Sequence, residues 1–555
     1  MKSKILTASI FAGLCLFPFT VNAVQDDAVE DSKDAARRAA GTEPGNVEIE
    51  KLDDEETPDE TTEPDSAETF VLNGIKIDSE IDVQQKHVQY LIDPYIGQRV
   101  GIKELKELTM KIRDFCRNEG WLAAVAYLPE QDSSDGIITI NISTAKFGKT
   151  FFNNESKLDD DILEAVAKRL TPDKAVTSKR IEDVLYRINE IGGLKARGAL
   201  VPDTHTRTIE LHANVTDDVR RRGIFYVENY GSKSSGRYRA GLIYDLFNLD
   251  NRGSRLEVSG LLSNKDLDNY AFDYSIISNR RTTSRLGISV GKTSYHLAGP
   301  AYTGLDVGGD STDYRIYGIT PVFKAVHEGL EWNYGYKFRN VTTSIKIDGI
   351  PLDLDDKRYV HTFSVGLKGY KRSLHNDLFN YSFTVYNGYV SNRSPYAKFI
   401  DSLNGVSGSF YKSQLTADYR KLFGKYWEFH TNLLVQNASK NLYSSERLIL
   451  GGANGVRGYA DGDGSGDMGY LSKSEFIWHT KFEGLSFSLF FDIGGVGDKG
   501  DHELETMRAW GLGMNYSKPN DYFFRVDYAR KIGNNINVAS DNRRDRIWFM
   551  AGKIF

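Results

Sequence analysis

Phe379-Asn380-Tyr381-Ser382-Phe383-Thr384-Val385 alternates large apolar and polar side chains at every step. A chain that turns over at each residue is a β-strand, and this one has an apolar face and a wet face. The pattern recurs. Trp427, Phe429, Thr431, Leu433 and Val435 alternate with Glu428, His430, Asn432 and Gln436, while Tyr522, Phe524, Val526 and Tyr528 alternate with Arg525 and Asp527. Aromatics on one side and ionic groups on the other suit a wall between lipid and water. A sheet in lipid cannot leave an edge unpaired, so the wall must close into a barrel. Such text fills Arg221–Phe555, which is 555 − 221 + 1 = 335 residues. At roughly 9–11 residues per membrane strand plus turns, about 14–18 strands fit, with even numbers favoured. A soluble β-sandwich or propeller is the competing reading. The terminal Phe555 and the leader at the other end of the chain argue against it.

Composition agrees. The 555 residues include 31 Tyr, 29 Phe and 51 Gly but only 13 Pro, and 40% are hydrophobic, enough for a core. A mean hydropathy of −0.43 argues against a helical membrane protein. Beyond the N-terminus no apolar run approaches the roughly 18–20 residues of a membrane helix. Two cysteines, Cys15 and Cys116, exclude a disulfide framework. Met1–Ala23 reads as a secretory signal peptide, with Lys2 and Lys4, an apolar run Ile5–Phe19 and a small-residue site Val21-Asn22-Ala23. An uncleaved anchor is the alternative. Val24–Glu68 holds 17 Asp/Glu against 4 Lys/Arg, a net of −13, so the remaining chain sums to −6 + 13 = +7. With Pro44, Pro58 and Pro64 spread through it, this segment reads as an acidic, solvated linker in which Asp31–Ala40 is the one short-helix candidate.

Between linker and barrel the order β-α-α-β-β occurs twice, over residues 69–145 and 146–217. The first copy is a strand at Phe70–Ile77, a short helix at Val88–Ile92, and an amphipathic helix at Lys103–Asn118 with Leu105, Leu108, Ile112 and Phe115 on one face. Gly120 stops that helix, and Trp121–Leu128 with Gly136–Ser143 forms a hairpin. The second copy is a strand at Lys149–Phe152, helices at Asp160–Leu170 and Ile181–Ile191, and strands at Lys195–Val201 and Thr208–Val215, with Thr177 and Ser178 as caps. Small sheets with open edges accept extended peptides, and two inert spacers are the competing reading.

Gly120, Trp121, Ala124, Pro129 and Gln131 resemble the G-Y-x-x-A-x-x-x-P-x-Q signature of the first POTRA domain in two-partner secretion transporters, with Trp121 at the tyrosine position, and the resemblance implies that they bind the partner. Val456-Arg457-Gly458-Tyr459 carries the V-R-G-Y motif of the POTRA-barrel superfamily, and Phe490, Asp492 and Gly494 match its F-x-D-x-G strand motif. Glu228-Asn229-Tyr230-Gly231 with Gly236-Arg237-Tyr238-Arg239 is similar to the first barrel hairpin of these transporters. The last strand, ending at Phe555 with Lys553 in place of a more usual aromatic, resembles the assembly signal of outer-membrane barrels. The resemblance covers about Phe70 to Phe555. It implies two POTRA domains before a sixteen-stranded antiparallel transmembrane barrel, and a V-R-G-Y loop folded into the lumen. It also implies a salt bridge from Arg457 to Asp492. Parity agrees on the second partner: if Phe487, Leu489, Phe491 and Ile493 face lipid, then Ser486, Ser488 and Asp492 face the lumen.

The function implied is export of a large haemolysin- or adhesin-like exoprotein across the outer membrane of a Gram-negative bacterium, with the POTRA domains in the periplasm. The expected partners are that exoprotein's N-terminal secretion domain, outer-membrane lipids and the barrel assembly machinery; no nucleic acid and no cofactor is expected. An insertase of the same superfamily and a passive porin are the alternatives. In the family a short N-terminal helix can plug the pore. Enzyme motifs are missing: no HExxH, CxxC pair, P-loop or G-x-S-x-G occurs. The run Asp461–Asp467 looks like the start of a calcium loop, but the twelfth position is Ser472 where a bidentate Glu is needed.

Overall fold

The computed structural model describes residues 23–40, 48–50 and 69–555, apart from 133, 173, 204, 207, 298–304, 348–349, 374–376, 501–502 and 534–542. The leader reading therefore lies outside the described residues except at Ala23. The chain falls into two units, residues 45–218 with 324–326, and the remainder.

In the first unit the strands are β1 (Glu48–Glu50), β2 (Phe70–Val71), β3 (Gly74–Ser79), β4 (Arg99–Val100), β5 (Ala124–Tyr127), β6 (Ile137–Thr144), β7 (Lys146–Asn154), β8 (Leu194–Asp203) and β9 (Thr208–Asp217). They build two α/β modules. One has the sheet order β3-β6-β5, with β2 and β4 as a separate pair, and helices Gln85–Ile92 and Ile102–Asn118. The longer helix buries Leu105, Leu108, Ile112 and Cys116 against Ile138, Ile140 and Ile142. At its start the Gly101 N–H donates to Glu104 Oε2 at 2.8 Å, which lowers the Glu104 carboxyl. At its end Gly120 takes φ +95°, a left-handed turn that glycine adopts without strain.

Burial pushes the Cys116 thiol up to about 11. Thiolate is the reactive form, so Cys116 should resist maleimide at neutral pH and react only after denaturation. Labelling that goes to completion in the native protein would contradict the packing.

The other module has the order β1-β8-β9-β7, with helices Asp160–Ala167 and Ser178–Asn189. Strands β7 and β8 run past the sequence reading at both ends and β9 at its C-terminal end, because strand-end residues pair through the backbone whatever their side chains. Thr177 does stand at the N-cap of its helix, but its side chain makes no capping hydrogen bond. The acidic linker is not all spacer: Glu48–Glu50 adds parallel to β8.

The second unit is a closed barrel of sixteen strands. In order they are β10 (Arg221–Glu228), β11 (Arg239–Phe247), β12 (Arg255–Ser263), β13 (Leu267–Asn279), β14 (Ser284–Leu297), β15 (Leu305–Lys324), β16 (Glu328–Ile347) and β17 (Ile350–Arg372). Then follow β18 (Leu378–Asn392), β19 (Gly408–Phe423), β20 (Trp427–Ala438), β23 (Met468–His479), β24 (Leu485–Gly497), β25 (Glu505–Lys518), β26 (Tyr522–Lys531) and β27 (Asp545–Ile554), with a two-strand ribbon β21 (Leu448–Ile449) and β22 (Ser465–Gly466) between β20 and β23. Strands β15, β16 and β17 have 20, 20 and 23 residues, about twice the roughly 9–11 a bilayer requires. On the outer surface Trp427 stacks on Phe476 at 5.0 Å and on Trp478 at 6.2 Å, and Trp478 meets Phe487 at 6.0 Å, a fragment of the aromatic girdle that marks a membrane interface.

The barrel closes where β27 meets β10 over five registered pairs, Ile224↔Ile554 to Glu228↔Met550. Asn229 prolongs that ladder with its side chain. Its Nδ2 donates to Ile547 O at 2.9 Å, its Oδ1 accepts from the Phe549 N–H at 2.8 Å, and its own N–H donates to Phe549 O at 3.2 Å. Phe555 completes the other end, exchanging backbone bonds with Gly223.

The helix Ala23–Ala39 belongs to this barrel unit. It is longer than the Asp31–Ala40 candidate, and it is no free spacer. Ala36 and Ala40 are buried in a cluster with Ile224, Tyr226, Tyr230, Phe523 and Met550. Mean acidity hid this, because the packing face is made of alanines small enough to approach the wall.

Candidate functional site

The connection Ser439–Asp467 folds back into the barrel rather than out of it. Gly451–Tyr459 forms its tip, and Val456, Arg457 and Tyr459 are fully buried. The loop is braced at its base by the β21–β22 ribbon and by an apolar cluster of Leu448, Leu450, Val456, Leu471, Val496 and Met507. Two glycines in the tip are required by space. A Cβ on Gly455 would lie 1.8 Å from Leu450 O, and one on Gly458 would lie 2.8 Å from Ala509 Cβ.

Arg457 is held in a cradle of three carboxylates. Its Nε donates to Asp492 Oδ2 at 2.8 Å and its Nη2 to Asp492 Oδ1 at 2.7 Å, a bidentate fork that its backbone N–H reinforces at 3.1 Å. Its Nη1 donates to Glu475 Oε1 at 2.6 Å and to Asp527 Oδ2 at 3.3 Å. The guanidinium carbon sits 3.3 Å from the centre of the Phe490 ring, which places a cation over an aromatic face. A second arginine shares the acids: Arg525 reaches Glu475 at 2.9 Å and Asp527 at 3.0 Å. Lys473 brings the local count to three cations and three anions, and its Nζ donates to Asn454 O at 3.1 Å. Phe491, Leu489 and Phe487 point outward and exposed, while Phe490 and Asp492 are buried inside, as strand period two requires.

The last strand also grips the tip. Trp548 Nε1 donates to Arg457 O at 2.7 Å and Arg546 Nε to Gly458 O at 3.2 Å. Lys531 lies 4.5 Å over the Tyr459 ring. Gly494 leaves room for Leu450, since a Cβ there would come within 2.7 Å of Leu450 Cδ2. Two carboxylates of the calcium-like run hold backbone N–H groups of the loop and of the turn after β24. Asp463 accepts from the Ala460 N–H, and Asp467 from the N–H groups of Leu442 and Lys499. Among the described residues no group of His, Cys, Asp or Glu could hold a metal.

Sequence reasoning paired Arg457 with Asp492, placed Arg525 and Asp527 on the wet face of their strand without joining them to Arg457, and missed Glu475 and Trp548. Parity along β23 could have turned Glu475 inward as well. Which strands the loop tip touches had no signal in the sequence.

The N-terminal helix occupies the same lumen. Ser32 Oγ donates to Glu228 Oε1 at 2.9 Å, and Arg239 Nε reaches the same oxygen at 2.6 Å. Arg37 pairs with Glu257 and lies 3.7 Å from Asp245, which also takes Arg222 at 2.9 Å and Arg255 at 3.0 Å. Ser517 Oγ donates to Ala39 O at 3.1 Å. A cavity of about 990 Å³ remains, lined by Glu30, Asp31, Asp34 and Arg38 of the helix and by charged wall residues such as Arg315, Lys337 and Glu428.

The POTRA-signature residues lie in the first module. Ala124 is buried and Trp121 packs on the core. Pro129 lacks the N–H that would extend β5 along β6. The Gln131 carboxamide takes over, accepting from the Thr139 N–H at 2.6 Å and donating to Thr139 O at 2.8 Å.

A sixteen-stranded barrel with an inturned arginine loop and α/β modules ahead of it defines the POTRA-barrel class of outer-membrane proteins. Residues 208–516 match the family described as haemolysin secretion/activation protein ShlB/FhaC/HecB, and residues 70–144 match the POTRA domain, ShlB-type. The chain belongs to the ShlB/FhaC/HecB family. It is 25% identical over 492 residues to the heme/hemopexin transporter protein HuxB of Haemophilus influenzae, covering 85% of each chain. It is 20% identical over 437 residues to the outer membrane transporter CdiB of Dickeya dadantii strain 3937, covering 74% of this chain and 73% of the other. In fold it is similar to CdiB from Escherichia coli, with TM-score 0.67 and 17% identity over 95% of this chain and 97% of that one. CdiB from Acinetobacter baumannii gives TM-score 0.63 and 15% identity over 96% and 97%. The protein is a two-partner secretion transporter, an outer-membrane pore for a partner exoprotein, with its POTRA domains in the periplasm.

Proposed function

We propose that the partner is a large haemolysin- or adhesin-like exoprotein that docks by an N-terminal secretion domain on the periplasmic modules. It threads the lumen unfolded once the N-terminal helix has left, and folds outside the cell. The V-R-G-Y loop stays pinned to the wall and shapes the path. The observation that carries this reading is how the helix is seated. Alanines and a few hydrogen bonds and ion pairs hold it, with no large apolar side chain anchored in the wall among the residues described from Glu30 to Ala40. Such a seat suits an occupant that has to leave. Folding of the cargo outside supplies direction, and Phe555 serves as the signal by which the assembly machinery inserts the barrel. The test is export. The reading expects a large secreted protein encoded beside the transporter's gene; the two are expressed together, and the cargo is measured in medium and periplasm. Cargo in the medium only when the transporter is present supports the reading; equal amounts without it overturn the reading.

A further inference from the structure

Strand β10 leaves the periplasmic modules and the barrel strands alternate in direction, so β17, the eighth, starts outside the cell and β18 ends there. On this pair exposure separates the two faces. Phe363, Val365, Phe383, Val385 and Tyr389 are exposed toward lipid, while Val360, Thr362 and Val390, one step away, are buried toward the lumen. Along β17 toward the outside, the lipid-facing side chains become aromatic. Phe363 packs on Tyr336 at 4.7 Å, His361 and Tyr359 pack on Phe338 at 5.0 and 5.3 Å, and Tyr314 stacks on Phe338 at 6.2 Å. Rings gathered at one level mark a membrane interface, here the extracellular one.

The next lipid-facing position is basic on both strands. Lys357 stands two residues beyond Tyr359, and the Arg393 N–H donates to Lys357 O at 2.7 Å, which sets the two residues side by side. Both are exposed. Two residues of a tilted strand climb about 5 Å, and the headgroup layer is roughly 5–8 Å deep, so both cations stand at headgroup depth. The Tyr359 ring holds Arg393 on its membrane side, with the guanidinium carbon 4.4 Å from the ring centre. Lys357 pairs with Asp355 at 2.8 Å. Arg393 has no carboxylate partner among the described residues. A guanidinium fixed over a ring, with no counter-ion of its own, has its donor fork open to a phosphate.

We propose that Arg393, seated on Tyr359 and flanked by Lys357, binds a phosphate of lipopolysaccharide in the outer leaflet, with the acyl chains of that lipid lying on Phe363, Val385 and Tyr389. The outer leaflet is the source because the pair stands at the extracellular end of the wall, beyond the reach of lipids in the periplasmic leaflet. Arg393 directly precedes Ser394, whose side chain accepts from the Ala397 N–H and caps the helix Pro395–Asn404. The bound lipid therefore grips the wall at the point where this extracellular helix leaves it.

The probe is lipid A carrying both of its phosphates, added to the purified full-length transporter in detergent, with bound lipid counted by native mass spectrometry. Each variant is compared as folded, heat-modifiable barrel. Arg393→Gln removes the charge and should bind lipid A about tenfold more weakly, the worth of one hydrogen-bonded contact to a charged group. Lys371→Gln, at an exposed cation on the periplasmic end of β17, should bind it as the unaltered protein does. Lipid A stripped of its phosphates should bind the unaltered protein about tenfold more weakly, and Arg393→Gln should bind it no worse than that. Phosphatidylglycerol should also bind at least tenfold more weakly than lipid A. If Arg393→Gln does not fold, Tyr359→Leu removes the ring beneath the guanidinium and should weaken binding severalfold. Equal binding of lipid A by Arg393→Gln, or by Tyr359→Leu in its place, and the unaltered protein overturns the proposal, as does an equal loss in Lys371→Gln. Phosphatidylglycerol bound as tightly as lipid A overturns the assignment to lipopolysaccharide.

Discussion

Arg457→Ala should reach the outer membrane as a folded, heat-modifiable barrel and export almost no partner. The sixteen-strand ladder does not depend on this side chain, so closure survives. The loop tip does depend on it. Removing the guanidinium leaves Asp492, Glu475 and Asp527 buried together with Arg525 and Lys473 as the remaining cations. Breaking one side of a buried ion pair costs about 3–5 kcal/mol, a factor of roughly 10² to several 10³ in the docked population of the loop. Arg457→Lys should rescue little, because an ammonium cannot fork onto Asp492 while reaching Glu475. The cradle also decides a charge swap. Arg457→Asp with Asp492→Arg would restore a simple pair, but here it sets an aspartate against Glu475 and Asp527, so export should not recover. The measurement is exported cargo per unit of folded barrel. Export at the unaltered level by Arg457→Ala would remove the loop from the mechanism, and recovery in the swap would show that the other two carboxylates do not matter.

Deleting residues 24–40 should leave the barrel assembled and raise its single-channel conductance several-fold in planar bilayers. The helix fills lumen that would otherwise join the 990 Å³ cavity, and it contributes no strand to the wall. A milder variant tests the seat itself. Arg37→Glu places a carboxylate beside Glu257 and Asp245, like charges at short range, and should give frequent openings to the same large conductance. Raised salt should narrow the difference between Arg37→Glu and the unaltered protein by screening that repulsion. Unchanged conductance in the deletion would mean that the helix does not obstruct the pore.

Strand period, and with it the barrel, was legible in the sequence, because a wall between lipid and water imposes alternation on every strand and the backbone permits no open edge. The two POTRA-like modules were legible for a similar reason, since a helix that packs on a sheet must carry an apolar stripe, as Leu105, Leu108 and Ile112 do. Asp492 was legible through the F-x-D-x-G motif and, independently, through parity. Tertiary structure decided the rest. The acidic segment looked like a spacer because net charge averages over faces, yet Ala36, Ala40, Ser32 and Arg37 form one face that matches the lumen. Glu475, Asp527 and Trp548 join Arg457 only because closure of the barrel sets β23, β26 and β27 around one loop tip. The β1–β8 ladder is likewise invisible to sequence reasoning, since a backbone edge accepts a strand by hydrogen bonds that carry no side-chain signature. Local periodicity is written residue by residue, whereas convergence of residues far apart in the chain is a property of the closed barrel.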